Sequence, residues 1–437
     1  MIALLEETSD GSANAADCAT ALSVAQSAQR DWEERSVAER ASLIGSLRPL
    51  LTECARDLAA AAARTTYRPA GEKMVSEVLP LVEAARFLQK NAARVLRAQR
   101  FGARGRPVWL HGSSFEVQRK PHGIVLVVGP SNYPLFIPLV QVLHALAGGN
   151  AVLVKPAEGT SKLIAIFRQR VLARSGISAE LVQLLPESPD AARIAARGVD
   201  KVFFTGSTEH GRDLLHILAE RNTPAVMELS GADTVFVRAD ADIARTANAI
   251  AFGLRLNAGN TCMAPHSIVV HEVVAAELFE ALRSTPIDRD RVYVVADDAA
   301  ALQIASFDKH GLGAAIFSRD ELGARSFAQQ LKTGFVTIND IIVPTADPRF
   351  PFGGVRASGF GVTRGAEGLL EMTYPHAVAV RRGGFLPHLE QAREGDAELF
   401  AEYLALTHSA GLAPRWRAAT KLFQIARRRR TQKQVQS

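Results

Sequence analysis

"GIVLVVGPSNYPLFIPLVQVLHALAGGNAVLVKP", residues 123–156, sets two short β-rich apolar runs on either side of a longer apolar stretch. The outer runs have strand length. The middle one is interrupted by Pro138, Gln141 and His144, so it reads as a helix covering a sheet, not as a bilayer span. The alternation continues through "SKLIAIFRQRVLARSG", "LVQLLP", "PDAARIAARG", "KVFFTG" and "TEHGRDLLHILAERN". Repeated strand and helix units predict an α/β fold with a parallel sheet between helices and a nucleotide site at the strand C-termini. A second series is expected to start at "AVMELSG" and "DTVFVRAD" and to run through "SIVVHEVV", "RVYVVAD", "GAAIFS" and "GFVTIND". Upstream, residues 17 to about 100 repeat apolar positions three and four apart, the period of helices. "VWLHGSSFEVQRKPHG", 108–123, predicts a hairpin turning at Gly112, Ser113 and Ser114, and "TYPHAVAVRR", 373–382, predicts a late strand before a helical tail.

The 437 residues are 47% hydrophobic and 22% charged, which suits a globular protein of two or three structural units. Three cysteines, Cys18, Cys54 and Cys262, lie far apart with no Cys-x-x-Cys pair, which disfavours a disulfide framework and a zinc site and fits a reducing compartment. The start, "MIALLEETSD", has no basic and apolar leader, so the expected location is cytoplasmic. The net charge of +6 resides in the tail: residues 413–437 hold eight Lys and Arg and no acid, leaving the rest slightly acidic. The body therefore offers no electrostatic footprint for nucleic acid. In the tail, Trp416, Ala419, Phe423 and Ala426 fall on one helical face among arginines. Such a pattern fits peripheral contact with the inner face of an anionic membrane, or packing on the protein itself or a second subunit.

Three turns carry chemistry-bearing residues. "GPSNYP" holds Pro130, Ser131 and Asn132 but lacks a glycine fingerprint. "FTGSTEHG" places Gly206, Ser207 and Gly211 at a helix start, where free N–H groups and the helix dipole can hold a pyrophosphate. "NAGNTCMAP", 257–265, sets Cys262 in an uncharged turn, where a thiolate would be a strong nucleophile.

With "GNAVLVKPAE" (149–158), "MELSG" (227–231) and "PFGGVRASGFG" (351–361), these stretches fall in an order and spacing that resembles the aldehyde dehydrogenase superfamily, from about Trp32 to about Arg382. The resemblance implies NAD(P)-dependent oxidation of an aldehyde to a carboxylic acid. Cys262 matches the nucleophile, Asn132 the oxyanion donor, and Glu228 the base that activates water on the thioester. Lys155 and Glu158 match an adenosine-ribose clamp, and a glutamate there favours NAD while leaving NADP open. No metal is implied.

The implied architecture is a Rossmann-like cofactor domain (1–107 and 122–228) and a catalytic domain (229–365). A β oligomerisation extension (108–121 and 366–382) and a helical tail (383–437) complete it, in a homodimer or tetramer. The chain departs from the family in one place. Ninety residues separate Cys262 from Phe352, fewer than usual, and the "EIFGP" motif has no counterpart in "STPIDRDRVYVV", where neither Asp288 nor Asp290 can be chosen as its substitute. The shortening leaves open a scaffold that no longer binds cofactor. A coenzyme A-acylating enzyme is the remaining alternative, which the presence of Glu228 disfavours.

Overall fold

The computed structural model describes residues 9–383, 386–389 and 391–436. The chain divides into two compact units, Met1–Phe101 with Phe115–Val378, and Gly102–Ser114 with Ala379–Ser437.

In chain order the strands are β1 (Gln99–Phe101), β2 (Ser113–Pro121), β3 (Ile124–Val128), β4 (Ala151–Lys155), β5 (Val182–Leu184), β6 (Lys201–Thr205) and β7 (Ala225–Glu228). They continue as β8 (Thr234–Val237), β9 (Ser267–His271), β10 (Val292–Val295), β11 (Gly313–Phe317), β12 (Phe335–Ile338), β13 (Gly359–Phe360) and β14 (Thr373–Arg381). The first large sheet has the order β13-β7-β6-β3-β4-β5 and is parallel except for β13. β3 is buried along its whole length, as its unbroken Ile/Val/Leu run requires when helices cover both faces. The second sheet, β10-β9-β8-β11-β12, is parallel throughout.

Each large sheet reverses its winding once, between β3 and β6 in the first and between β8 and β11 in the second. Loops leaving the strand C-termini at such a point diverge and open a crevice. The helix Phe136–Gly148 follows β3 and is buried along nearly its whole length, ending at Gly149, whose φ of 98° suits a residue without a Cβ.

Two expectations need correction. "AVMELSG" does not begin the second sheet: β7 pairs with β6 in the first, with Thr205 opposite Glu228, and Met227 is fully buried in that core. Only five residues join β7 to β8, too few for a crossover within one sheet, so the chain changes sheets there. The expected hairpin around Gly112 is also absent. Val108–Leu110 form a short 3-10 turn, Gly112 takes a φ of 82°, and β2 runs unbroken from Ser113, pairing antiparallel with β1. The strand-forming residues of "VWL" are too few, between Pro107 and a left-handed glycine, to make a ladder. β14 completes a three-stranded sheet with β1 and β2 and is exposed for most of its length.

In the second unit the helices Asp396–His408 and Leu412–Gln436 pack together, joined by Lys421–Glu402 (2.7 Å) and Arg429–Asp396 (2.6 Å) ion pairs. No described helix is long and apolar enough to cross a membrane.

Candidate active site

Cys262 sits in the loop between the helix Ile243–Arg255 and β9. That loop is strained: Asn257, Ala258 and Gly259 take φ of 52°, 54° and 77° in succession. Left-handed backbone at non-glycine residues persists where surroundings over-determine it, and here they do. The Asn257 N–H donates to Glu72 Oε1 (3.0 Å), and its side-chain amide donates to the carbonyls of Asn132 (3.0 Å) and Asn260 (3.1 Å). Asn257 Oδ1 accepts from Lys73 Nζ (3.1 Å).

Lys73 in turn pairs with Glu77 at 3.0 Å, both side chains having no exposure. They lie one turn apart across a π-bulge, Met74–Val78, a kind of irregularity that often marks functional positions in helices. Glu77 Oε2 accepts the N–H groups of Leu135 (2.7 Å) and Phe136 (3.1 Å), so a remote carboxylate caps the helix whose own N-cap residue supplies no side-chain bond. Lys73 also donates to the Asn132 carbonyl (3.3 Å) and lies 5.1 Å from the Tyr133 ring centroid. One buried ion pair thus fixes both the turn after β3 and the cysteine loop. Tyr133 adds a bond from its hydroxyl to Thr261 Oγ1 at 2.8 Å.

Glu228, at the end of β7, is buried, and its Oε2 has no hydrogen-bond partner among the described residues. Burial pushes its pKa up to about 7, against the opposing pull of Arg364 and the Thr363 hydroxyl. Burial and the nearby Glu228 and Asp233 carboxylates hold the Cys262 thiol well above its usual range. The close approach of these loops depends on Gly231, where a Cβ would collide with the Cys262 carbonyl. The segment 351–361 lies beside Glu228 through β13: Gly359 is opposite Glu228, and the Leu229 N–H donates to the Ser358 carbonyl at 3.1 Å.

Cys262 and Glu228 line two cavities at once. The larger, about 970 Å³, opens over the C-termini of β3, β4, β6 and β7 and gathers Pro130, Ser131, Asn132, Lys155, Glu158, Gly206 and Ser207 with them. The smaller, about 400 Å³, is walled mainly by apolar side chains, among them Val75, Phe136, Ile137, Phe252, Met263 and Phe352.

Within the larger cavity, Ser207 caps the twelve-residue helix Thr208–Ala219, its hydroxyl accepting the His210 N–H (3.3 Å). The Gly206 N–H is engaged by the Glu228 carbonyl at 3.1 Å, so this glycine contributes space beside the Phe204 ring, not a donor. Gly211 does not line the cavity. It is buried against Leu229, whose Cδ2 would stand 2.5 Å from an added Cβ, so its smallness serves helix packing. Asn132 donates from its amide to the Asn260 carbonyl (3.0 Å), two residues before the cysteine. Asp288 caps a 3-10 turn and lines a separate cavity, and no residue of 284–295 reaches the large one.

Sequence reading missed Lys73, Glu77, Asn257, Glu187 and Arg364. Glu187 accepts the N–H groups of Gly159 and Ser161 (2.7 Å each) and lies beside Lys155, whose pKa burial lowers while Glu187 and Glu158 raise it. The Lys73–Glu77 spacing of four was visible in "GEKMVSEV", but nothing local shows that both members are buried.

Solved structures share this fold. An NAD-dependent aldehyde dehydrogenase from Sinorhizobium meliloti superposes with a TM-score of 0.79 at 22% identity, covering 86% of this chain and 89% of that one. PnpE from Pseudomonas sp. WBC-3 does so at 0.77 and 23%, covering 86% and 92%. The 4,4'-diapolycopene aldehyde oxidase of a Methylomonas species is 27% identical, with 79% of this chain and 78% of the relative covered. The vanillin dehydrogenase of Pseudomonas fluorescens is 29% identical over 62% of this chain and 72% of its own. The chain belongs to the aldehyde dehydrogenase family, whose sequence profile matches residues 8–286 and 290–378. The match is interrupted within the shortened stretch that lacks the "EIFGP" motif.

Proposed function

We propose that the protein oxidises an apolar aldehyde to its carboxylic acid with NAD, through a thiohemiacetal and a thioester on Cys262. The observation that carries this reading is the position of Cys262 and Glu228 in the wall shared by a polar cavity at a sheet switch point and an apolar one. The larger cavity fits a dinucleotide: it has a helix N-terminus for pyrophosphate, and Lys155, Glu158 and Glu187 for ribose hydroxyls. Two carboxylates there disfavour a 2′-phosphate, and Arg193 is already paired with Asp190 at 2.9 Å. NAD is therefore preferred over NADP.

In the reaction, Glu228 as carboxylate takes the Cys262 proton and the sulfur attacks the carbonyl carbon presented from the apolar cavity. The Asn132 amide and the Cys262 N–H stabilise the oxyanion, each donor of this kind being worth about 3 kcal/mol. When bound, NAD supplies the hydride acceptor that converts the thiohemiacetal to the thioester. Glu228 passes the proton it took from Cys262 to solvent and, as carboxylate again, deprotonates the water that releases the acid. A pKa near 7 suits a group that must give and take protons at neutral pH.

The exposed β14, with Tyr374, Val378 and Val380 on its surface, is the edge on which a second copy would assemble in a homodimer or tetramer. The tail helix, with Trp416 and Phe423 both more than 70% exposed among arginines, is suited to peripheral contact with an anionic membrane surface in the cytoplasm.

The test is absorbance of the reduced cofactor with aromatic, long-chain and carboxylate-bearing aldehydes, with and without coenzyme A. The expected result is turnover in water, with kcat/KM highest for uncharged apolar aldehydes and lost in Cys262→Ser. Retained activity in that variant would remove the nucleophile assignment. Absence of both turnover and NAD binding by calorimetry would leave a scaffold.

A further inference from the structure

Arg364, which follows β13, is 4% exposed and lines the apolar cavity beside Cys262 and Glu228. Its guanidinium lies 4.3 Å from the Phe352 ring centroid and 5.6 Å from that of Phe136. Among the described residues one bond holds its guanidinium, from Nη1 to the Thr345 carbonyl at 2.7 Å. Its Nε has no partner, and no carboxylate lies within ion-pair distance of it among the described residues. A buried cation without a counter-ion costs several kcal/mol, and the rest of this wall is mainly apolar. Glu228, itself without a partner on Oε2 among the described residues, and Cys262 are groups beside it able to carry negative charge.

We propose that Arg364 is a positioning residue whose fixed positive charge lets the buried Cys262–Glu228 pair hold one negative charge. The proposal rests on reading Cys262 as the nucleophile. Proton transfer from the thiol to the carboxylate moves the negative charge from oxygen to sulfur without changing the total, so one fixed cation serves both states. The two groups titrate as a pair. The other groups facing the cluster do not replace this charge. His144, whose pKa burial lowers to about 4, is neutral at pH 7. Asp233, which burial raises to about 7, adds negative charge near Cys262. Tyr133 and Thr363 contribute only hydroxyls. Of the charged groups that line the same cavity or support it, Arg255 is exposed to solvent, Glu72 accepts the Asn257 N–H, and Lys73 is paired with Glu77.

The test reads the thiolate directly, in the cofactor-free protein, as the rate of alkylation of the Cys262 peptide by iodoacetamide against pH, followed by mass spectrometry. In Arg364→Met the curve should move to higher pH by about one unit or more, the scale of losing an opposite charge at close range. In Arg364→Lys it should stay with the wild type. The ascending limb of kcat/KM for aldehyde oxidation should follow the same pattern. If the Met variant does not fold, Arg364→Gln keeps a donor for Thr345 without the charge and should shift alike.

A neutral variant whose curve superimposes on the wild type, or a Lys variant shifted as far as a neutral one, overturns the proposal, because a merely structural arginine would lower the melting temperature and leave the curve in place. Absence of turnover with every aldehyde, together with the expected alkylation shifts, would defeat the dehydrogenase reading and leave this one standing.

Discussion

Glu228 is buried, and burial works against its ionised form. Its pKa of about 7 lies above the usual carboxylate value, so the folded state binds more protons than the unfolded one between about pH 4.5 and 7. This contribution to stability is present below that window and is lost as pH rises through 7. The loss amounts to about 3 kcal/mol at most, since each tenfold change in proton affinity is worth about 1.36 kcal/mol. Glu228→Gln does not titrate and should melt at a higher temperature than wild type at pH 8, with the difference disappearing near pH 5. A calorimetric scan at both pH values checks this. The same variant should slow both the first release of reduced cofactor and the steady rate, because the thiol and the deacylating water both lose their base. Steady turnover at the wild-type rate would exclude Glu228 from deacylation.

At the scale of elements, the site is assembled by the π-bulged helix segment at Lys73–Glu77, not by the strands alone. Lys73→Met leaves the Glu77 carboxylate buried without its partner, a change that typically costs about 3–5 kcal/mol. Urea unfolding should show that loss, and Glu77→Gln in the same chain should recover part of it by removing the stranded charge. The coupling should reach catalysis as well. Lys73 donates to both the Asn132 carbonyl and Asn257 Oδ1, so its loss should lower kcat even under conditions where the variant is fully folded. A normal kcat would confine the pair to stability.

At the scale of the whole molecule, charge is divided along the chain: the acid-free tail carries an excess that the remaining residues do not share. Two of its cations, Lys421 and Arg429, are spent on Glu402 and Asp396 within the helix pair. Deleting 413–437 should abolish co-sedimentation with phosphatidylserine vesicles in low salt while leaving NAD binding intact. Adding salt should weaken the wild-type association in the same way, since screening at 0.15 M ionic strength acts over about 8 Å. Undiminished vesicle binding by the truncated chain would remove the membrane role.

Much of the parallel sheet architecture was legible in the chain because each buried strand writes its own signal, an unbroken apolar run such as "IVLVV", and each helix its own period. The same locality made Cys262 legible, since its turn residues are neighbours in sequence. What the sequence left undecided depends on pairings between distant residues. β7 could be assigned to either sheet until its pairing with β6 placed Glu228 beside Thr205. Asn257 meets Glu72 across 185 residues, and Arg364 carries no local signal: only the tertiary structure closes Phe352 and Phe136 around it. The chain by itself determined most of the elements and which thiol stands in a turn, because hydrophobic periodicity and turn chemistry are local. Only the tertiary structure decided which charges are buried and what they face, because burial belongs to the packed whole and sets the chemistry at the site.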